Sequence, residues 1–253
     1  MRNLYLGMII IILCAFTSTL YGQDLTAEQI VRKAEQSVYP DNFVMRATIE
    51  TLKSGEVESH MDMEIRYKRD TGTRIELLAP ARSHGVRFLQ KEGNLWMFNP
   101  RAGSGQAIRL SPRASFQGTV FSNRDVGDPQ YTTEYTVRVV GRESIDVPGS
   151  GQVDAIVVEG IARNAQVAYA KVRLWIRAKD YMILKAEYFA KSGLPFKTVE
   201  FTNIRRLAGK ERPSVLRMLS MDQKDRVSIM TIHDLVEDPA MADAIFTLSA
   251  LTR

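Results

Sequence analysis

Three histidines, His60, His84 and His233, are the first places to look for metal or general-base chemistry. None has a partner at metal-ligand spacing, and His60 and His233 fall inside alternating runs, so all three read as surface or hydrogen-bonded side chains. No G-x-S-x-G elbow is present to support a serine hydrolase. The carboxylates are spread along alternating segments as solvated faces, and nothing singles out an acid/base pair. The glycines of Ala102-Gly103-Ser104-Gly105 lack the following Lys-Ser/Thr of a phosphate loop, and they lie between two strand-like runs, which makes them a hairpin loop. Cys14 is the only cysteine; bulky Ile11, Ile12 and Leu13 precede it, a poor context for lipidation. These residues point to no enzyme, no cofactor and no metal site.

The apolar residues say more. Nine of the eleven methionines follow Met8, and several alternate with polar residues: Met45, Met61, Met63, Met97, Met182, Met218 and Met230. Such a pattern fits ordinary core packing. It equally fits an adaptable apolar lining for floppy partners such as acyl chains, because thioether side chains are flexible and polarizable.

The elements that must position these residues are mostly strands. The run His60-Met61-Asp62-Met63-Glu64-Ile65-Arg66-Tyr67-Lys68 alternates polar and apolar, the mark of a half-buried antiparallel strand. Further strand-like runs are 43–52, 73–79, 85–91, 94–98, 106–111, 131–141, 152–161, 168–178, 182–191, 196–206, 213–221 and 226–236. Turn chemistry separates many of them, as at Lys53-Ser54-Gly55, Asp70-Thr71-Gly72 and Lys191-Ser192-Gly193. Ahead of them the spacing predicts one helix over 26–38. Thr26 and Gln29 form its capping box, and Leu25, Ile30, Val31, Ala34 and Val38 make an apolar stripe against Glu28, Arg32, Lys33 and Glu35. Two segments break the pattern. Ser111–Asp128 is long and is expected to hold a short helix, and Asp238–Asp243 reads as a helical turn. The fold class expected is mainly β: a large curled antiparallel sheet, an incomplete β-barrel, with an N-terminal amphipathic helix and short helical cover.

The first 22 residues have the plan of a secretory signal: Arg2, an apolar run from Tyr5 to Phe16, then small and polar residues to Gly22. The run is about a dozen residues, short of the roughly 20 that cross a bilayer. Cleavage is expected near Gly22 or Gln23, leaving residues 23–253 as one domain in the periplasm; retention as an anchor is the alternative. Without Arg2 the formal charge falls from +5 to +4, a mild excess that suits anionic headgroups better than nucleic acid.

Motif order adds a resemblance. Gly85-Val86-Arg87-Phe88-Leu89-Gln90, Gly93-Asn94-Leu95-Trp96-Met97-Phe98-Asn99-Pro100, Ile108-Arg109-Leu110-Ser111 and the run Ser115-Phe116-Gln117-Gly118-Thr119-Val120-Phe121 to Val126 follow one another. After them come Tyr169–Ile176, Leu184–Phe189 and Phe246-Thr247-Leu248. This succession, over roughly 43–250, resembles the outer-membrane lipoprotein-sorting (LolA-like) family. One departure stands out: Val120 replaces an acidic residue of the family's pattern. The resemblance implies an incomplete barrel with helical covering that holds lipid chains in an apolar hollow. It also implies transient membrane contact, with an inner-membrane lipid exporter as partner.

Residues and resemblance together predict a periplasmic carrier for lipid or lipoprotein acyl chains. The expected lining is Met45, Ala47, Ile49, Met61, Met63, Ile65, Ile75, Leu77, Phe88, Trp96 and Phe98, with Phe116 and Phe121 at the mouth. Arg109 and Arg113 are the expected contacts for headgroups or an anionic partner, and the 26–38 and 111–128 segments are the expected lids. The alternative is a non-enzymatic accessory subunit of an envelope lipid-export complex with a filled core. A cavity of several hundred Å³ distinguishes the two.

Overall fold

The computed structural model describes residues 25–127 and 130–253. The expected signal segment, Cys14 and the cleavage position lie outside the described residues.

Thirteen strands form one antiparallel sheet: β1 (Asn42–Lys53), β2 (Glu56–Lys68), β3 (Gly72–Ala79), β4 (Arg87–Lys91), β5 (Asn94–Phe98), β6 (Ile108–Leu110), β7 (Tyr135–Val147), β8 (Gly151–Ala162), β9 (Lys171–Arg177), β10 (Ile183–Phe189), β11 (Pro195–Leu207), β12 (Lys210–Ser220) and β13 (Arg226–Glu237). Their spatial order is β6-β5-β4-β3-β2-β1-β13-β12-β11-β10-β9-β8-β7. The sheet is thus two meanders joined where β1 pairs with β13, for example Ile49 opposite Met230. Residues from both ends of this order, such as Leu95 of β5 and Tyr135 of β7, share one buried apolar cluster. That is possible only because the sheet curls around its inner face, and it stays open between β6 and β7.

The helix α1 (Ala27–Val38) starts where the sequence places it. Thr26 N–H donates to Gln29 Oε1 at 2.9 Å and Gln29 N–H donates to Thr26 Oγ1 at 3.2 Å, closing the capping box. Ile30, Val31, Ala34 and Val38 are buried as expected, but Glu35, expected on the polar side, is buried completely. The helix packs on β7, β10 and β12 and on the single-turn α2 (Tyr131–Glu134). Glu35 serves that contact: the Thr132 N–H donates to its Oε1 at 2.8 Å, and the Thr132 hydroxyl lies 3.0 Å from Oε2.

No helix forms in 111–127; the short helix falls just after it, at the start of a run expected as strand. The segment is instead a tight hairpin. Gln117 and Gly118 both have positive φ, +48° and +81°, and Thr119 N–H donates to the Phe116 carbonyl at 2.9 Å. This is the geometry of a type I′ turn, whose twist matches antiparallel strands and is incompatible with a helix. The Phe116 N–H donates to Phe121 O at 2.9 Å, and Ser115 bridges Ser122.

The chain ends on the sheet's outer face. A 3₁₀ turn at Asp243–Ile245 and α3 (Leu248–Thr252) bring Met241, Phe246 and Leu251 against Leu89 and Phe98. Arg74 holds this strap by donating to the carbonyls of Ile245 (3.3 Å) and Ala250 (2.9 Å).

Candidate functional site

The inner face is built by strict alternation. In β1, β2 and β3 the apolar set Met45, Ala47, Ile49, Met61, Met63 and Ile65 points inward and is nearly inaccessible, and Ile75 and Leu77 continue it. Phe88 of β4 lies there too. The expectation fails one strand further on. Phe88 stands opposite Met97 and Leu89 opposite Trp96, so Leu95 and Met97 face inward while Trp96 and Phe98 belong to the outer cluster. Successive side chains alternate faces; placing Phe88, Trp96 and Phe98 together therefore required a one-residue slip that the pairing does not contain. Met218 and Met230, singled out among the alternating methionines, do lie in this cluster, but the sequence reading missed the rest of the second meander's share, including Ile156, Leu174, Tyr188 and Phe201. Their alternation was visible, but only the β1–β13 pairing shows which face they share with β1.

The hairpin 115–122 plugs this interior. Phe116 and Phe121 are each about 1% exposed, and the Phe116 ring lies 5.0 Å from that of Phe88. At the tip, the Val120 N–H donates to the buried Ser228 hydroxyl of β13 at 2.9 Å, and Arg226 donates to Gly118 O at 2.8 Å. The Val120 side chain joins the apolar cluster, where a carboxylate would be stripped of water. With the plug in place, a cavity of about 20 Å³ lies among Tyr39, Phe121, Tyr131, Tyr188, Phe201 and Met218. Around it the inner-face side chains and the two plug phenylalanines are packed into one buried cluster.

A buried polar latch secures the plug's far end. The Tyr169 hydroxyl donates to Asp125 at 2.8 Å, and Lys197 Nζ of β11 lies 3.3 Å from that hydroxyl and 3.5 Å from Asp125 Oδ2. Asp125 and Lys197 are 5% and 8% exposed, so the pair interacts in a weakly screened setting. Burial pushes the Tyr169 hydroxyl well above its ordinary pKa, so it remains a neutral donor. The Tyr188 hydroxyl is raised in the same way, and it pairs with the Tyr131 hydroxyl at 2.8 Å.

The two expected headgroup arginines are not equivalent. Arg109 is exposed on β6 and donates to the Asn94 side chain. Arg113 grips the β8–β9 loop, donating to the carbonyls of Ala165 (2.5 Å), Val167 (2.9 Å) and Ala168 (3.2 Å). As for the histidines, His60 lies between Glu50 (3.5 Å) and Asp62 (3.1 Å), and His233 meets the Thr48 hydroxyl at 2.7 Å. No group of three or more His, Cys, Asp or Glu among the described residues is placed to hold a metal ion. No helix among the described residues is long and apolar enough to cross a membrane.

A family model described only as an uncharacterized protein matches residues 69–253. No curated protein matches the chain. Among solved structures, a LolA superfamily protein from Nitrosomonas europaea is 28% identical, with a TM-score of 0.78 over 88% of this chain and 98% of that one. A putative outer membrane lipoprotein-sorting protein domain from Vibrio parahaemolyticus shares the fold at 18% identity, with a TM-score of 0.76 over 90% of this chain and 98% of that one. The chain belongs to the family that this model describes, and its 28% identity to the Nitrosomonas europaea protein over the same fold places it within the LolA superfamily.

Proposed function

We propose that the protein is a non-enzymatic periplasmic carrier that shelters the acyl chains of a lipid or lipoprotein against the inner face of its sheet on the way to the outer membrane. The observation that carries this reading is the plug. The methionine-rich inner face is covered by a hairpin and a helix, and the two hairpin phenylalanines occupy the volume an acyl chain would take. The similarity to a lipoprotein-sorting domain supports the same reading.

The energetics allow an exchange. Exposing two buried phenylalanines costs about 3–6 kcal/mol, and losing the Val120–Ser228 hydrogen bond costs about 1 kcal/mol more. Each buried CH₂ of a cargo chain returns about 0.8 kcal/mol, so against these two costs a chain of about five to nine methylenes breaks even. Longer acyl chains favour the open state. The roles proposed are lining for Met45, Ala47, Ile49, Met61, Met63, Ile65, Ile75, Leu77 and Phe88, and displaceable gate for Phe116 and Phe121. Trp96 and Phe98, on the outer face, are excluded from the lining.

A second reading, an accessory subunit of an envelope lipid-export complex with a permanently filled core, is the one that the cavity criterion favours in this closed structure, where the hollow behind Phe121 measures about 20 Å³; the carrier reading requires the plug to leave. Native mass spectrometry of gently purified protein separates the two. The carrier retains co-purified lipid or takes up a labelled lipopeptide at one-to-one stoichiometry; the filled-core subunit does neither.

A further inference from the structure

A second hollow opens beside the plugged interior and shares the buried Val167 and Tyr169 with its apolar cluster. It is a groove of about 420 Å³ between the β8–β9 loop, the end of β10 and the start of β11. That is within the range of small-molecule sites. Its walls are apolar, with Val167, Ala168, Tyr169, Phe189 and Phe196 prominent. Two cations, Arg113 and Lys191, stand on it, and no carboxylate lines it. Arg113 spends its Nε and Nη2 on loop carbonyls, which fix the guanidinium without neutralising its charge. The nearby Lys197 lies 5.5 Å from the Phe196 ring and 5.7 Å from the Tyr169 ring, but its charge is already matched by Asp125. An apolar trough whose charged side chains are all positive is complementary to a greasy chain ending in an anion.

We infer that this groove, which adjoins the plugged interior but is reached without opening the plug, is a binding site for a single-chain anionic amphiphile of the long-chain fatty acid type. The chain lies along Val167, Tyr169, Phe189 and Phe196, and the carboxylate meets Arg113 and Lys191. The inference adds a subsite to the carrier reading but does not require the plug to move.

The test uses brominated stearic acid, which quenches nearby tryptophan. Trp96 packs in the outer-face cluster under the C-terminal strap, and Trp175 sits in a second cluster apart from the interior residues; the unsubstituted protein measures the contribution of both. Phe196→Trp places a reporter in the groove, and Phe121→Trp places one on the plug. The inference expects strong quenching of the Phe196→Trp protein and none beyond the unsubstituted level for Phe121→Trp. In the Phe196→Trp background, Lys191→Gln, which leaves the loop carbonyls untouched, weakens binding at least threefold. Arg113→Gln combined with Lys191→Gln weakens it at least tenfold, and the brominated methyl ester binds poorly and indifferently to either change. Absent quenching at Phe196→Trp, or acid and ester binding alike, overturns the inference. Quenching confined to Phe121→Trp also overturns it while favouring the carrier. Groove binding without lipopeptide uptake leaves the inference standing and counts against the carrier.

Discussion

At the scale of single residues, the Asp125–Tyr169–Lys197 latch has the largest expected effect. Asp125→Asn leaves the Lys197 ammonium buried without its carboxylate at 3.5 Å. Breaking one partner of such a pair costs about 3–5 kcal/mol, whereas replacing both is far milder. Urea unfolding should therefore show a large loss for Asp125→Asn and partial recovery in Asp125→Asn/Lys197→Met. Equal loss in both would deny the pair its coupling. Glu35 makes a prediction about pH. Burial is the largest influence on it and raises its pKa, against the opposing hydrogen bonds from Thr132 and the charge of Arg69. The folded state thus holds this proton to higher pH than the unfolded chain does. The resulting stability is fully present below the ordinary glutamate range and is lost as pH rises through the raised folded value. The stability difference between the parent and Glu35→Gln should accordingly shift against the parent over the window that opens at the ordinary glutamate range and extends upward from it. A flat difference across that window would remove Glu35 from the account.

At the scale of elements, the capping box and the plug carry separate predictions. Thr26→Ala removes the acceptor of the Gln29 N–H and should lower stability by about 1 kcal/mol, read from the unfolding midpoint. Phe116→Ala should cost about 3–5 kcal/mol in the empty protein, yet raise the affinity for lipopeptide, because part of the closing interaction is gone. Reduced stability together with reduced uptake would make Phe116 a lining residue and not a gate. Most elements were legible from periodicity alone. The Met61-Met63-Ile65-Tyr67 alternation gave β2 its inner face, and Thr26 with Gln29 gave α1 its start. The hairpin was not legible as such, because its turn puts Gln117, not a residue that favours positive φ, in the left-handed region. Glu35 was misplaced for a different reason: Thr132, the partner that satisfies it, is 97 residues away.

At the scale of the whole molecule, alternation told which residues share a face within a strand, but not which faces of distant strands meet. The junction of β1 with β13 decides that, and it turns two meanders into one curled sheet. The same limit holds between neighbours: Trp96 and Phe98 were misassigned because the pairing of β4 with β5, and not composition, sets their register. The carrier account rests on the hairpin 115–122 leaving that interior when a chain enters. Hydrogen exchange at the Val120 amide, which donates to Ser228 inside the closed structure, reads this displacement directly. Saturation with a lipopeptide should speed exchange at Val120 and across 115–122 while the β1 and β2 amides stay protected. Bound lipopeptide with unchanged or slower exchange at Val120 would mean that the plug never moves, and would contradict the carrier mechanism.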